Sequence, residues 1–524
     1  MSKKHCVSAN AVSLFMAAVL LFTGAAVSSA NASGMRDITT QKLVEDMGLG
    51  INLGNTFDAC VSEEARGVMC TGAEGQVCDW ITTWLPDPAN PSAGDFERAW
   101  GSPIITRDMI KGYANAGFKT VRVPVAWSNG MQRDGNYNIM PGLMTRVQEV
   151  VDWILDEDMY VILNIHWDGG WWDNFPTDSV GSMRRFLRIW EQVGDHFKDY
   201  SDFLMFASLN EEGGWSAIWN SDEWNSGAPN WRGNEEAKAR SFGILNAINQ
   251  AFVDEIRSQG GNNARRHLQV QGYNTNIDLT CDPLFQMPTD TENRLAVSVH
   301  YYDPFAFTHI TEPVNWGEWI HPMTTWGTPA DYLELNNYLD KMKVNFVDKG
   351  IPVIIGEYGV ASWDATFLRE RESVRMYTLA VTKAMLDRGM LPVLWDVQLD
   401  ASDGEIIYYY DRHIANFVDV GMLNGFRELA GLEPVSIAGR SITARPATTR
   451  PSVAVRGRTL NVSSSTDTDF QVRMIDVRGR IRANFNISGG NGSYSLGNLP
   501  SGRYFVEVRG AVTGVKSVSA IVVR

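Results

Sequence analysis

Eight short, near-continuous apolar runs between residues 50 and 398 constrain the fold more than any other feature of this chain. They are GINLGN (50–55), TVRVPVAW (120–127), YVILNIHW (160–167), FLMFASLNE (203–211), HLQVQGYN (267–274), LAVSVHYY (295–302), PVIIGEYG (352–359) and LPVLWDVQ (391–398). Runs of this length with little polar alternation suit parallel strands covered on both faces. Amphipathic stretches such as LMTRVQEVVDWILDED and ATFLRERESVRMYTLAVTKAMLDRG separate most of them. A glycine stop leads closely into the next strand in NAGFKTVRVP and LDRGMLPVLW. Only the connection 275–294 lacks a convincing helix. Eight strand–helix units between residues 40 and 432 predict an α/β chain with a (β/α)8 barrel somewhat enlarged by loops. An open doubly wound sheet would carry a glycine-rich phosphate loop after its first strand, and GINLGNTFD lacks that spacing.

In such a barrel the active site lies at the carboxyl ends of the strands. The runs end in Asn55, Arg122, Trp127, His166, Trp167, Asn210, Glu211, Tyr273, His300, Tyr302, Glu357 and Trp395. Packing alone would favour Val, Ile and Leu there, so the polar and aromatic ends point to a site. Two of these residues are carboxylates on different strands, Glu211 on the fourth and Glu357 on the seventh. Paired carboxylates flanking a bond are the apparatus of glycoside hydrolysis, one donating a proton and the other attacking. Their environments must push their proton affinities apart. Arg122 and Tyr302 are assigned to keep Glu357 ionised, and Glu211 to the less polar or carboxylate-adjacent setting.

The motifs LNE on the fourth run, VHYY on the sixth and IGEYG on the seventh resemble glycoside hydrolase family 5. GINLGNTFDA, AWGSPIITRDMIKGYANAGFKTVRVPVAW and YVILNIHWDGGWW resemble its secreted bacterial endoglucanase branch, which also contains xyloglucanases. The resemblance covers roughly residues 40–430, with several motifs in order. It implies double displacement with retention, Glu211 as acid/base, Glu357 as nucleophile and Asn210 on the sugar 2-hydroxyl. Arg122, His166, His300, Tyr302 and Trp395 would complete the site, with Asn55 and Trp167 beside it. The expected activity is endo-β-1,4-glucan hydrolysis, with no cofactor and no metal. Xyloglucan, mannan and xylan are the rival substrates, and a non-catalytic carbohydrate-binding barrel is the rival class. The chain departs from the family at Glu212, where Pro is usual, and at Trp167, where relatives often have another His. Glu212 is expected to turn outward in the loop, the alternative being that this extra carboxylate raises the proton affinity of the acid. Trp171, Trp172, Trp215, Trp219, Trp316, Trp319 and Trp326 fall in the loops after the third, fourth and sixth strands, where indoles could stack on pyranose rings.

Outside the barrel the reading is coarser. Lys3 and Lys4, the apolar run AVSLFMAAVLLF and the small residues ANA read as a signal peptide over 1–32, hence a secreted or cell-surface protein. Four cysteines remain after it, Cys60, Cys70, Cys78 and Cys281, and an even number in an exported chain suggests two disulfides in any of three connectivities. Their spacing does not suit zinc. The barrel is placed at 33–435, a linker containing ARPATTRP at 436–450, and a β-rich module at 451–524. Residues 441–524 carry 11 Arg and one Lys against three Asp and one Glu, so a net +8 follows a stretch at −23. The overall −15 argues against nucleic acid as a partner. The sequence VRMIDVRGRI…GSYSLGNLPSGRYFVEVRG resembles C-terminal sorting domains of Gram-negative secreted proteins, which implies contact with secretion machinery or the cell surface. The alternatives are a carbohydrate-binding module or a basic module that adheres to acidic surfaces. The enzyme is expected to act as a monomer.

Overall fold

The computed structural model describes residues 34–60, 92–131, 135–215, 217–218, 234–311, 313–315, 319–361, 369–398 and 407–435, and with short interruptions 452–523. The segment read as a signal peptide, Cys70, Cys78, Trp219, Trp316 and the segment read as a linker lie outside the described residues. The chain divides into two compact units, Met1–Pro434 and Val435–Arg524.

All eight runs form strands: β1 (Gly50–Asn52), β2 (Thr120–Val123), β3 (Tyr160–Asn164), β4 (Leu204–Ala207), β5 (Leu268–Gln271), β6 (Leu295–Tyr301), β7 (Val353–Tyr358) and β8 (Leu391–Leu394). Each pairs in parallel with its sequence neighbours, and β8 closes on β1 through Gly50↔Val393 and Ile51↔Leu394. The (β/α)8 barrel is therefore the fold. Nearly every strand residue is buried, as two-sided cover by barrel interior and helices requires.

The helices follow their strands: α1 (Arg107–Ala116), α2 (Pro141–Asp156), α3 (Ser179–His196), α4 (Glu235–Ser258), α5 (Ile277–Thr280), α6 (Pro329–Asn345), α7 (Arg371–Leu386) and α8 (Val420–Leu429). The connection after β5 holds only the four-residue α5, in line with its weak helical pattern. Side-chain caps fix the helix starts, since Asp178 Oδ1 accepts from Gly181 N at 2.9 Å and Asn234 Oδ1 from Ala237 N at 3.0 Å. Helix α3 turns Phe186, Ile189, Trp190 and Val193 onto the barrel. Trp190 Nε1 donates to Ser208 O at 3.2 Å, and Ser208 Oγ accepts from Gln271 N at 3.1 Å. The end of β4 is thus fastened to both α3 and β5.

One register feature matters for the site. Along β6–β7, Val299 pairs with Ile355 and His300 with Glu357, so Gly356 is an extra residue. This β-bulge re-aims the residue after it. A Cβ at Gly356 would stand 2.9 Å from Ser298 Oγ and 3.1 Å from His300 Nε2, which leaves space only for glycine.

The second unit holds seven strands among the described residues: β9 (Ser452–Arg456), β10 (Thr459–Ser463), β11 (Phe470–Asp476), β12 (Ile481–Ile487), β13 (Asn491–Ser495), β14 (Gly502–Gly510) and β15 (Lys516–Val523). They form two antiparallel sheets, β9-β10-β13 and β12-β11-β14-β15. Leu460, Val462, Val472, Met474, Ile487, Leu496, Tyr504, Val506 and Val508 make a core of their own. The small all-β module matches the reading from alternation, with β9 as an added strand.

Cys281 is a free thiol, 3.8 Å from Met342 Sδ, so the expectation that all four cysteines pair does not hold.

Helix α1 gives a stability test. Tyr410 Oη donates to Met109 O at 2.9 Å, across Gly112. A Cβ at Gly112 would overlap Tyr410 Oη at 1.7 Å and Ala415 O at 2.6 Å. Alanine would favour an exposed helix by about 1 kcal/mol. Here the overlap dominates, and Gly112→Ala is expected to lower the unfolding free energy by about 2 kcal/mol in a urea titration. An unchanged or raised midpoint would contradict the close approach.

Candidate active site

At the carboxyl ends of the strands, a buried arginine gathers the polar groups. Arg122, 1% exposed, sits on β2 with its guanidinium across the barrel mouth. Its Nη1 donates to Glu357 Oε1 at 2.8 Å and to Asn52 Oδ1 at 2.9 Å, and its Nη2 to Asn210 Oδ1 at 2.6 Å. Tyr302 Oη donates to the other oxygen of Glu357 at 3.0 Å. Both oxygens of Glu357 therefore face donors, one of them fully charged.

Glu211 has a different setting. Its side chain is 49% exposed, open to the cleft, and its Oε1 lies 2.6 Å from His300 Nδ1. The surrounding protein still displaces water, and this desolvation raises its carboxyl above the ordinary range, with Arg122 opposing. His300 Nδ1 is also 3.5 Å from Glu357 Oε2, so the imidazole stands between the two acids. Burial pushes His300 down to about 4, so the ring is neutral near pH 7.

Donor atoms of Glu211, His300 and Glu357 lie within 4.8 Å of one another. That is a metal-like spacing. Glu357, however, already receives a guanidinium on one oxygen and a phenol on the other, the pattern of an anion held by hydrogen bonds. With an oxygen of each within 4.8 Å, Glu211 and Glu357 stand on the side of retaining glycosidases, whose carboxyl groups are about 5–5.5 Å apart. Inverting pairs stand about 6.5–9.5 Å apart. The pair can attack an anomeric carbon from one side while protonating its leaving oxygen.

His166 and Trp395 form a second group. Their rings stack at 5.4 Å with 4° between planes. Burial, then the Arg122 charge, holds the imidazole of His166 well below its ordinary range. Asp58 Oδ2 lies 3.9 Å from His166 Nε2, and burial pushes the Asp58 carboxyl up to about 7. Behind Trp395, Asp396 Oδ1 accepts from Tyr409 N at 2.8 Å and Tyr410 N at 2.9 Å. Arg412 Nη1 donates to Gly54 O at 2.9 Å and Nη2 to Asp396 O at 2.7 Å, tying the ends of β1 and β8 together.

The structure thus brings Glu211, Glu357, Arg122, Asn210, His300 and Tyr302 into one bonded cluster, with His166 and Trp395 as a stacked pair. It does not bring Asn55 into the cluster. The β1 residue there is Asn52, whose Nδ2 also donates to Gly356 O at 3.0 Å. Asn55 instead turns back at φ 57°, its N–H donating to Asp58 Oδ2 at 3.0 Å. Trp167 is 36% exposed at the rim. Tyr273 is wholly buried, with hydrogen bonds to Ser241 and Gly213 O. Glu212 corrects an expectation: it is fully buried, its Oε2 accepting from Asn210 N at 2.6 Å. Of the loop tryptophans, Trp171, Trp215 and Trp326 are core residues. Trp171 Nε1 donates to Asp168 Oδ2 at 2.7 Å and Trp215 Nε1 to Ser241 O at 3.2 Å. Trp319 is 64% exposed.

The chain is similar to known proteins. A family model described as cellulase (glycosyl hydrolase family 5) matches residues 86–400. Endoglucanase A of Paenibacillus barcinonensis is 32% identical over 431 residues, 78% of this chain and 94% of that protein. A xyloglucan-specific endo-beta-1,4-glucanase of Bacteroides ovatus is 33% identical over 374 residues, 70% of this chain and 66% of that protein. Among solved structures, a broad specificity endoglucanase from an uncultured bovine rumen ciliate superposes with a TM-score of 0.60 at 34% identity, covering 75% of this chain and 98% of that one. With its closed eightfold barrel and carboxylate pair, the chain belongs to the cellulase family, glycosyl hydrolase family 5.

Proposed function

We propose that the barrel is a retaining endo-β-1,4-glucanase, with Glu357 as nucleophile and Glu211 as acid/base. One observation carries this: two carboxylates with an oxygen of each within 4.8 Å, one held by Arg122 and Tyr302, the other desolvated with a raised proton affinity. Glu357 attacks the anomeric carbon while Glu211 gives its proton to the departing glycosidic oxygen. The glycosyl ester on Glu357 is then hydrolysed by a water that loses its proton to Glu211. Asn210 Oδ1 is occupied by Arg122, which leaves the amide NH2 to donate to a sugar hydroxyl. The stacked His166–Trp395 pair offers a flat face for a pyranose ring. The names of the relatives support internal cleavage of β-glucans, and the Bacteroides ovatus relative makes xyloglucan the second substrate. Rates on carboxymethylcellulose, xyloglucan, glucomannan and xylan decide between them.

We further propose export of the chain and a sorting or surface-attachment role for the second unit, supported by its basic charge, its separate core and its turn sequences. Its aromatic pair Phe485–Tyr494 stacks at 4.0 Å. It contains no Trp, which weighs against a module for crystalline cellulose.

Glu357→Gln keeps the volume and removes the attacking charge, so turnover on carboxymethylcellulose is expected to fall by more than about a hundredfold with an unchanged circular dichroism spectrum. A smaller loss rules out the nucleophile assignment.

The raised Glu211 carboxyl keeps its proton above the usual carboxylate range, and kcat/KM falls as pH rises through that raised value. Glu211→Ala is expected to be nearly inactive on glucans. It should retain glycosylation of 2,4-dinitrophenyl cellobioside, whose leaving group needs no proton, lose the alkaline limb of that profile and accelerate with azide. If Glu212→Ala shows this pattern instead, the acid/base is Glu212.

Removal of residues 441–524 should leave the rate on carboxymethylcellulose nearly unchanged, because every residue of the cluster precedes residue 400. In the producing cell the truncated enzyme should accumulate in a different fraction on immunoblotting. Unaltered location with weaker binding to insoluble cellulose would make the unit a carbohydrate-binding module.

A further inference from the structure

Glu212, the residue after the acid/base, is fully buried and takes no part in the mechanism above. Its side chain folds back, and Oε2 accepts from the N–H of Asn210, two residues earlier, at 2.6 Å. Its main-chain oxygen accepts from Gln271 Nε2 at 2.6 Å and from Asn274 N at 2.9 Å. The turn is therefore held from both sides of Glu211: by a side chain reaching back to β4, and by the end of β5 reaching across. Between these ties Glu211 extends into the cleft, with Oε1 2.6 Å from His300 Nδ1.

We propose that Glu212 is a positioning residue for the acid/base, a clamp that fixes the Asn210–Glu211 turn so that the Glu211 carboxyl meets the leaving oxygen. This rests on Glu211 being the acid/base. Proline, usual at this position in the family, restricts its own backbone but brings no acceptor for the Asn210 N–H. Here a carboxyl supplies the restraint by hydrogen bonding. The groups around it are Glu211 on the same turn, Asn210 and through it Arg122 from β2, and Gln271, Tyr273 and Asn274 from β5 and its turn. Burial, with the neighbouring Glu211 adding to it and the Asn210 N–H opposing, holds the Glu212 carboxyl well above its ordinary range. Its Oε1 is buried without a hydrogen-bond partner among the described residues, so exchanging that oxygen for an amide NH2 breaks no hydrogen bond.

The test compares Glu212→Gln with Glu212→Met in the full chain. Glutamine keeps the acceptor for Asn210 N, and kcat/KM on carboxymethylcellulose should stay within about threefold of wild type. Methionine keeps the volume and removes the acceptor. Its kcat/KM on carboxymethylcellulose should fall about tenfold to a hundredfold, as a misplaced catalytic group does. On 2,4-dinitrophenyl cellobioside it should stay within about threefold, because that leaving group needs no acid. Should Glu212→Met fail to fold, Gln271→Met removes the other tie and should give the same contrast. Equal losses on both substrates, or none, overturn the proposal, as does a Glu212→Gln variant as inactive as methionine. The two readings fail separately. If Glu211 is not the acid/base, Glu211→Ala itself shows no contrast between substrates; if only the clamp is wrong, Glu211→Ala shows it and Glu212→Met does not.

Discussion

The buried guanidinium of Arg122 is the interaction on which the mouth of this barrel depends. An arginine is always charged, and a charge out of water is tolerated only when paired and hydrogen-bonded. Here the partners come from three other strands or strand ends: Asn52 from β1, Asn210 after β4 and Glu357 from β7. Pairing the two terminal nitrogens of one side chain thus links four parts of the sheet. Asn210 precedes the residue assigned as acid, and Glu357 is the residue assigned as nucleophile. Their separation is accordingly set by one rigid planar group.

The same arrangement divides the two carboxylates chemically. Glu357 has a cation on one oxygen and a phenol on the other. Glu211 has a neutral imidazole and a partly desolvated cleft. His300 touches both, so it can accompany a proton at Glu211 without adding a charge beside Glu357. The opposing settings arise from neighbours that β2, β4, β6 and the turn after β6 place within a few ångströms.

The sequence reveals those strands because burial on both faces leaves unbroken apolar runs, and it reveals the site because polar residues at their ends have no packing reason to be there. The partnership of Arg122 and Tyr302 with Glu357 is likewise legible from charge logic, and the structure has these contacts. What escapes is local. Strand β1 is three residues long, and no pattern separates Asn52, beneath the site, from Asn55 beyond it. Glu212 looks like a solvated loop acid until its tie to Asn210 N is seen, and a bond spanning two residues leaves no periodicity. Trp171 and Trp215 have the composition expected of a sugar platform, yet each indole N–H satisfies a buried acceptor and the ring fills core. Asp58, Asp396 and Arg412 brace the rim from loops between elements, where sequence pattern carries little signal.

The bulge at Gly356 shows where the aim of Glu357 is encoded. Val299 faces Ile355, and His300 faces Glu357, because the β7 strand counts one residue more than its neighbour. The address of the charge is written in residue number rather than in residue type. Side chains along β7 can drift among Val, Ile and Leu while the address stays the same. A single-codon insertion or deletion between Val353 and Glu357 would shift it, leaving composition and hydrophobicity almost untouched while turning the carboxylate to the other face. For this segment the length of the gene, more than its spelling, is what descent has to keep.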